Sequence, residues 1–172
     1  MISKLIKSKN NQIKPKWFMR QAGRHIPEYF TIRNKHDDFI DFCLDESSII
    51  EATTLPLKYY NIDAAILFSD ILLLPYSLGQ EVTFKKKIGP VLKKISINER
   101  FLKKDINLND FISIKNAIVE IKKTLPSSKD LIGFCGAPWT LACYMIEGGS
   151  SKDYAKTRTY LWNNEKIFFK LI

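Results

Sequence analysis

Residues 62–68, Ile62-Asp63-Ala64-Ala65-Ile66-Leu67-Phe68, form a nearly continuous apolar run that ends at Ser69-Asp70. Such a run is typical of a strand that is covered on both faces, as in a parallel sheet. Residues 130–135 (DLIGFC) repeat the pattern and lead into the turn Gly136-Ala137-Pro138. Residues 15–20 (PKWFMR) predict a third short buried strand, which stops at Gly23.

Helical patterns separate these predicted strands. Residues 45–59 open with acidic and capping residues and are interrupted by Pro56, and residues 108–125 place apolar side chains at helical spacing before Pro126. A further helix is expected to run to about Glu147 and stop at Gly148-Gly149, and residues 82–97 are irregular or hairpin-like. Strands that alternate with helices predict a parallel α/β sheet, either a TIM barrel or a doubly wound sheet. Neither GxGxxG nor GxxxxGK[ST] occurs, which disfavours the nucleotide-binding folds.

Each predicted strand ends in a polar or glycine-containing turn, and the carboxyl ends of parallel strands are where α/β folds place their sites. The first turn is Arg20-Gln21-Ala22-Gly23-Arg24, residues 20–24. Only five of the 27 basic residues are arginine, and two of them are in this turn. Arginine captures carboxylate or phosphate with two parallel hydrogen bonds, which lysine cannot do. The turn therefore predicts an anion-binding loop.

Two other side chains at strand ends are candidates for the same site. Asp70 follows the second strand, where it could accept hydrogen bonds from ligand N–H groups or stabilise a developing cation, or equally cap the helix that begins near Ile71. Tyr144 could present a phenol to a ligand, although an aromatic residue on an amphipathic helix is more often part of the core. Glu147 is expected to be a structural acid near a helix end.

Composition excludes several classes of protein. No apolar run is long enough to span a membrane, and no signal peptide is predicted. The net charge of +9 permits a polyanionic ligand, but general overuse of lysine is the preferred explanation because the lysines are scattered, so no nucleic-acid partner is predicted. The three cysteines lack CxxC spacing, and with only two histidines no metal site is predicted. We expect free, buried thiols in a reducing cytoplasm.

Three segments resemble one known family. WFMRQAGRHIPEY (17–29), AAILFSDILLLPYSLG (64–79) and GFCGAPWTLACYMIEGGSSKDY (133–154) are similar to the three amino-terminal motifs of uroporphyrinogen decarboxylase, an enzyme family of the haem pathway. The resemblance implies a (β/α)8 TIM barrel, normally a homodimer, that binds a cyclic tetrapyrrole with many carboxylates. It implies decarboxylation of the acetate arms of uroporphyrinogen III to give coproporphyrinogen III, without a cofactor.

The resemblance also assigns roles to residues. Arg20 and Arg24 would bind substrate carboxylates, with backbone contacts from Gln21, Ala22 and Gly23 between them. Asp70 would be the central acid that faces the pyrrole N–H groups, and Tyr144 would supply a hydroxyl on the substrate side.

The length of the chain differs from that of a whole barrel. A TIM barrel takes about 250 residues, whereas this chain has 172 and about three candidate strands. We therefore expect residues 1–172 to form a single domain that is the amino-terminal part of an incomplete barrel, truncated at its carboxyl end and inactive alone. The alternatives are a corrinoid or thiol methyltransferase of the same barrel superfamily and a noncatalytic polyanion-binding module.

Overall fold

The structure is a computed structural model that describes residues 2–8, 12 and 14–172. Contacts divide the chain into two compact units. The first holds the residues up to Ser69 together with Phe111–Phe134, and the second holds Asp70–Asp110 and Cys135–Ile172. Within the described residues no helix has both the length and the apolar character that crossing a membrane requires.

Helices and short strands alternate along the chain. The α-helices of the first unit are α1 (Ile2–Ser8), α2 (Pro27–Arg33), α3 (Phe39–Leu44), α4 (Glu46–Thr54), α5 (Pro56–Tyr59) and α7 (Ile112–Thr124). Its strands are β1 (Ala64–Ile66) and β4 (Asp130–Ile132). The second unit contains α6 (Leu73–Ser77), the strands β2 (Val82–Lys85) and β3 (Gly89–Leu92), and the helices α8 (Pro138–Glu147), α9 (Ala155–Asn163) and α10 (Glu165–Leu171). Short 3-10 turns occupy Phe101–Lys103 and Leu108–Phe111.

A parallel strand pair and the helices around it build the first unit. β1 pairs with β4 in parallel, with Ala65 opposite Leu131. Helix α4 begins where the Asp45 carboxylate accepts a hydrogen bond from the Ser48 N–H at 2.8 Å, and Pro56 begins the next helix. The apolar face of α7 packs against α4 and the end of β1, through Ala117, Ile121, Ile49 and Leu67. Burying a side chain such as Ile121 contributes about 1.5–3 kcal/mol. The predicted helices over 45–59 and 108–125 are confirmed.

The predicted buried strand over residues 15–20 is wrong. Residues 14–18 form no strand, and the side chains of Phe18 and Met19 are 63% and 81% exposed. One backbone hydrogen bond joins this segment to the residue before β1, from the Asp63 N–H to the Lys16 carbonyl at 2.8 Å. One such bond does not make a ladder. Of the strand predicted over residues 130–135, only β4 (Asp130–Ile132) forms, and it is half-buried rather than buried. The remaining residues, Gly133–Cys135, are exposed.

The second unit combines a hairpin with helices. β2 and β3 pair antiparallel with Val82 opposite Leu92, so the segment 82–97, expected to be irregular or hairpin-like, contains a hairpin. Helix α8 has Pro138 in its first turn and ends where Gly148 takes a left-handed φ of 81°, as predicted. The next helix begins at Ala155. Cys43 and Cys143 are buried, as expected. Cys135 is exposed, contrary to expectation, and lies in the segment between β4 and α8.

Candidate active site

The loop that carries the two arginines is held to β1 by the side chain of Gln21. Gln21 is only 5% exposed. Its Oε1 accepts a hydrogen bond from the Phe18 N–H at 3.0 Å, and its Nε2 donates to the Ala64 carbonyl at 3.0 Å. The Asp63 carbonyl and the Leu67 N–H, which flank β1, form backbone hydrogen bonds with β4, whereas the Ala64 carbonyl accepts from the loop. Gln21 therefore anchors the loop with the side-chain amide.

Both guanidinium groups of this loop face solvent. Arg20 and Arg24 are exposed, and neither forms an ion pair within the described part of the chain. Between them Ala22 and Gly23 are half-buried, and the Gly23 carbonyl accepts from the Ile26 N–H at 3.1 Å. The structure thus brings residues 20–24 together as a shaped loop in the first unit, with two cations that pair with no carboxylate of the described residues. Such a pair can bind an external anion.

Asp70 begins the second unit and shapes the turn that leads into α6. Its Oδ1 accepts a hydrogen bond from the Leu72 N–H at 2.8 Å, and α6 begins at Leu73. The carboxylate caps a turn rather than the helix itself, because the N-cap position belongs to Leu72. Burial raises the pKa of Asp70, and the hydrogen bond from Leu72 opposes that shift only in part. Ionised Asp70 is therefore less stable here than in water, which favours a nearby positive charge.

Tyr144 lines a pocket of about 270 Å³ in the second unit. We call it the Tyr144 pocket, and its lining residues are Trp139, Thr140, Cys143, Tyr144, Gly149, Ser150, Ser151 and Tyr154. The first four belong to α8, and the others belong to the segment between α8 and α9. The lining includes no lysine, arginine, histidine, aspartate or glutamate, and burial raises the pKa of the Cys143 thiol above its ordinary value. Hydroxyl groups are the main polar groups of this pocket.

The hairpin and helix α9 hold the walls of the pocket in place. The Leu92 N–H donates to the Gly148 carbonyl at 3.0 Å, and Val91 and Gly149 form an antiparallel bridge. A Cβ at Gly149 would lie 2.9 Å from the Pro90 carbonyl oxygen, so only glycine fits this approach without a shift. On the other side, Glu147 Oε1 accepts from both the N–H and the hydroxyl of Thr157 at 2.9 Å. Glu147 is a structural acid, as predicted.

Sequence reasoning missed part of this pocket. Ser150, Ser151 and Tyr154 are not among the site residues predicted from the sequence. Ser151 Oγ accepts from the Tyr154 N–H at 3.0 Å, and Tyr154 takes a left-handed φ of 53°. A non-glycine residue in this region costs about 1–3 kcal/mol, and such strain is concentrated at functional sites. The Gly-Gly-Ser-Ser run after α8 was the available signal.

Comparison with known proteins decides the family. The sequence profile described as Uroporphyrinogen decarboxylase (URO-D) matches residues 1–172. The chain belongs to the uroporphyrinogen decarboxylase family. It is 44% identical over 168 residues to the uroporphyrinogen decarboxylase of Rickettsia massiliae, and 45% identical over 168 residues to that of Rickettsia conorii. Each alignment covers 97% of this chain and 48% of the relative, so the chain spans about half the length of these family members.

A solved structure shows the same fold. A methyltransferase from Methanosarcina mazei superimposes with a TM-score of 0.60 at 11% identity, over 92% of this chain and 47% of that protein. At this identity the likeness concerns the fold alone. The α/β class and the match to about half of a barrel-type chain confirm the fold expected for an incomplete (β/α)8 barrel.

Proposed function

We propose that this chain is the amino-terminal part of a uroporphyrinogen decarboxylase, and that residues 1–172 belong to a single barrel domain. The whole enzyme would convert the acetate arms of uroporphyrinogen III to methyl groups, giving coproporphyrinogen III and CO2. The observation that carries this proposal is the family match over all 172 residues. The loop with two cations, the partly buried acid Asp70 and the hydroxyl-lined pocket supply the chemical groups that such a reaction needs.

The arginine loop would bind the carboxylates of the substrate. Arg20 and Arg24 are exposed cations that form no ion pair among the residues the structure describes, and their planar guanidinium groups match a carboxylate in geometry. Ala22 and Gly23 would add backbone contacts between the two. Gln21 would contribute backbone contacts as well, while its side chain stays bonded to Phe18 and Ala64. A loop held in this way positions the substrate with little loss of conformational entropy on binding.

Asp70 would stabilise the positive charge of the intermediate. A proton first adds to the pyrrole ring carbon next to the one that bears the arm, which leaves a cationic ring. The bond between the arm's CH2 and its carboxylate then breaks, its electron pair neutralises the ring through an exocyclic double bond, and CO2 leaves. A second proton adds to the CH2, and the ring carbon loses the first. An ionised, partly buried Asp70 near the ring nitrogens stabilises the cation more than the neutral ring, which is the differential binding that catalysis requires.

Tyr144 would supply a hydroxyl to the substrate from the wall of its pocket. Membership of the family also leads us to propose a homodimer, located in the cytoplasm, that needs no cofactor. Tetrapyrrole arms, rather than nucleic acid or a membrane, would be the partners of the charged groups.

A chimaera tests the proposal in a full-length context. Residues 1–172 replace the matching part of the Rickettsia conorii uroporphyrinogen decarboxylase, of which the aligned segment makes up 48%. We expect the purified chimaera to release CO2 from uroporphyrinogen and to form coproporphyrinogen. The control is the same chimaera with Arg20→Ala and Arg24→Ala, which should bind substrate poorly. A chimaera that is folded by circular dichroism but releases no CO2 would contradict the proposed function.

A further inference from the structure

We propose that the turn of the β2–β3 hairpin, Lys85-Lys86-Lys87-Ile88, attracts the polyanionic substrate from solution and guides its approach to the second unit. We call these four residues the basic turn. The inference rests on the proposed function, which supplies a substrate with many carboxylates. It adds a surface that acts at a distance, through charge, rather than another group that holds the bound substrate.

Three cations lie side by side in the basic turn. Lys85, Lys86 and Lys87 are exposed, and none of them forms an ion pair within the described residues. At the open end of the same hairpin, by contrast, the Lys93 ammonium lies 3.1 Å from the Glu81 carboxylate. The positive charge of the hairpin is therefore concentrated at its turn.

The backbone of the turn gives a second observation. The Ile88 N–H donates to the Lys85 carbonyl at 3.2 Å, which closes the turn, and Lys87 takes a left-handed φ of 68°. Glycine adopts this conformation without the strain that a side chain brings. A lysine at this position strains the backbone and keeps a charge where the hairpin reaches furthest into solvent. This combination favours a use for the charge itself.

The basic turn lies near the Tyr144 pocket within the same unit. Gly149, which lines the pocket, forms an antiparallel bridge with Val91, on the edge of β3 that faces away from β2. Lys85 is opposite Gly89, two residues from Val91. Two strand spacings across the sheet and two residues along it therefore place the Lys85 backbone about 12 Å from that of Gly149. The lysine side chains can point closer than their backbone.

Charges at this distance act on a polyanion before any contact forms. The Debye length is about 8 Å at physiological ionic strength and about 30 Å at 0.01 M, so the field of the basic turn reaches the pocket rim, most strongly at low salt. Of the exposed charges next to the pocket lining, Lys152 and Asp153 have opposite signs, and the Glu147 carboxylate accepts two hydrogen bonds from Thr157. Three like charges in one turn therefore dominate the local field, and such fields raise association rates of oppositely charged ligands by about 10 to 1,000-fold.

Removing the three charges in the chimaera tests the inference. The variant K85Q/K86Q/K87Q keeps side chains of similar length, and the bond that closes the turn joins backbone atoms, so it should fold. At an ionic strength of about 0.01 M we expect its kcat/KM for uroporphyrinogen to fall at least about fivefold, with kcat within about twofold of the unsubstituted chimaera. At about 1 M, where the Debye length is about 3 Å, kcat/KM of the two proteins should agree within about twofold.

A matched control separates the basic turn from net charge. K58Q/K115Q/K166Q removes the same three charges from exposed positions on α5, α7 and α10. If the charge acts locally, this control should keep kcat/KM within about twofold of the unsubstituted chimaera at every ionic strength.

The other outcomes overturn the inference. Equal losses for the two triple variants would show that net charge, not the basic turn, attracts the substrate. A loss for K85Q/K86Q/K87Q that persists at high ionic strength would show that the lysines touch the substrate or shape the fold. Unchanged kcat/KM at low ionic strength would show that the turn is a solvated surface. Failure of the proposed function would appear earlier, as a folded, unsubstituted chimaera without decarboxylase activity.

Discussion

Replacing Gln21 by methionine should destabilise the protein because the Ala64 carbonyl loses its hydrogen-bond donor. Gln21→Met keeps the length of the side chain but removes both hydrogen bonds of the amide. Phe18 is 63% exposed, so its N–H can bond to water instead, whereas Ala64 is fully buried and its carbonyl loses its donor. Leaving a buried acceptor unpaired costs about 1–3 kcal/mol. The free energy of urea unfolding of the chimaera, followed by circular dichroism, should fall by that amount.

Two further variants test the reasoning behind this value. Gln21→Glu keeps an acceptor for the Phe18 N–H but sets a carboxylate against the Ala64 carbonyl, so it should cost more than Gln21→Met, and increasingly so as the pH rises above the pKa of the new carboxyl. Asn116→Met, at an exposed position of α7, should change the unfolding free energy by less than about 0.5 kcal/mol. If Gln21→Met costs no more than Asn116→Met, the side chain of Gln21 does not anchor the loop.

Three other predictions follow from single contacts. Arg20→Lys or Arg24→Lys keeps the charge but loses the planar fork, so kcat/KM of the chimaera for uroporphyrinogen should drop at least about tenfold; a change within twofold would count against carboxylate binding. Because burial raises the folded-state pKa of Asp70, the folded state binds this proton more tightly than the unfolded state. The unfolding free energy should therefore decline as the pH rises from about 3.8, the ordinary pKa of an aspartate, through the folded-state pKa. Asp70→Asn should remove that decline. If the unfolding free energies of the two proteins change with pH in parallel, the prediction is wrong. Thr157→Val removes one donor to Glu147 and should lower the unfolding free energy by about 1–2 kcal/mol, while Glu147→Gln, which keeps the acceptor oxygen, should cost less; the reverse order would contradict the assigned contact.

Local signals made the helices predictable from the sequence. Asp45 and Pro56 set the beginning of α4 and its boundary with α5, and apolar spacing with Pro126 delimited α7. These features act within a few residues of the chain, which is the range that a pattern can report. Gly148, which stops α8 in a left-handed conformation, is a signal of the same kind.

Long-range contacts were not predictable in the same way. Residues 15–20 have the composition of a buried strand, but a strand needs a ladder, and only one backbone bond joins them to another segment of the described chain. The Gln21–Ala64 and Glu147–Thr157 hydrogen bonds join side chains to partners that no local pattern specifies. For Asp70 the sequence left two roles open. The structure supports a turn-capping contact through one oxygen, and the catalytic role stays a prediction.

The single-turnover rate of the Asp70→Asn chimaera, measured across pH together with its unfolding free energy, tests the central claim most directly. Asparagine can still accept the hydrogen bond from Leu72, so the turn and the fold should survive. If ionised Asp70 stabilises the cationic ring, the unsubstituted rate should rise with pH through the pKa of Asp70. Asp70→Asn should abolish that rise and slow turnover by about 100-fold or more, with a much smaller change in binding. A rate within twofold of the unsubstituted protein, at any stability, would contradict the account and leave Asp70 a residue that only shapes a turn.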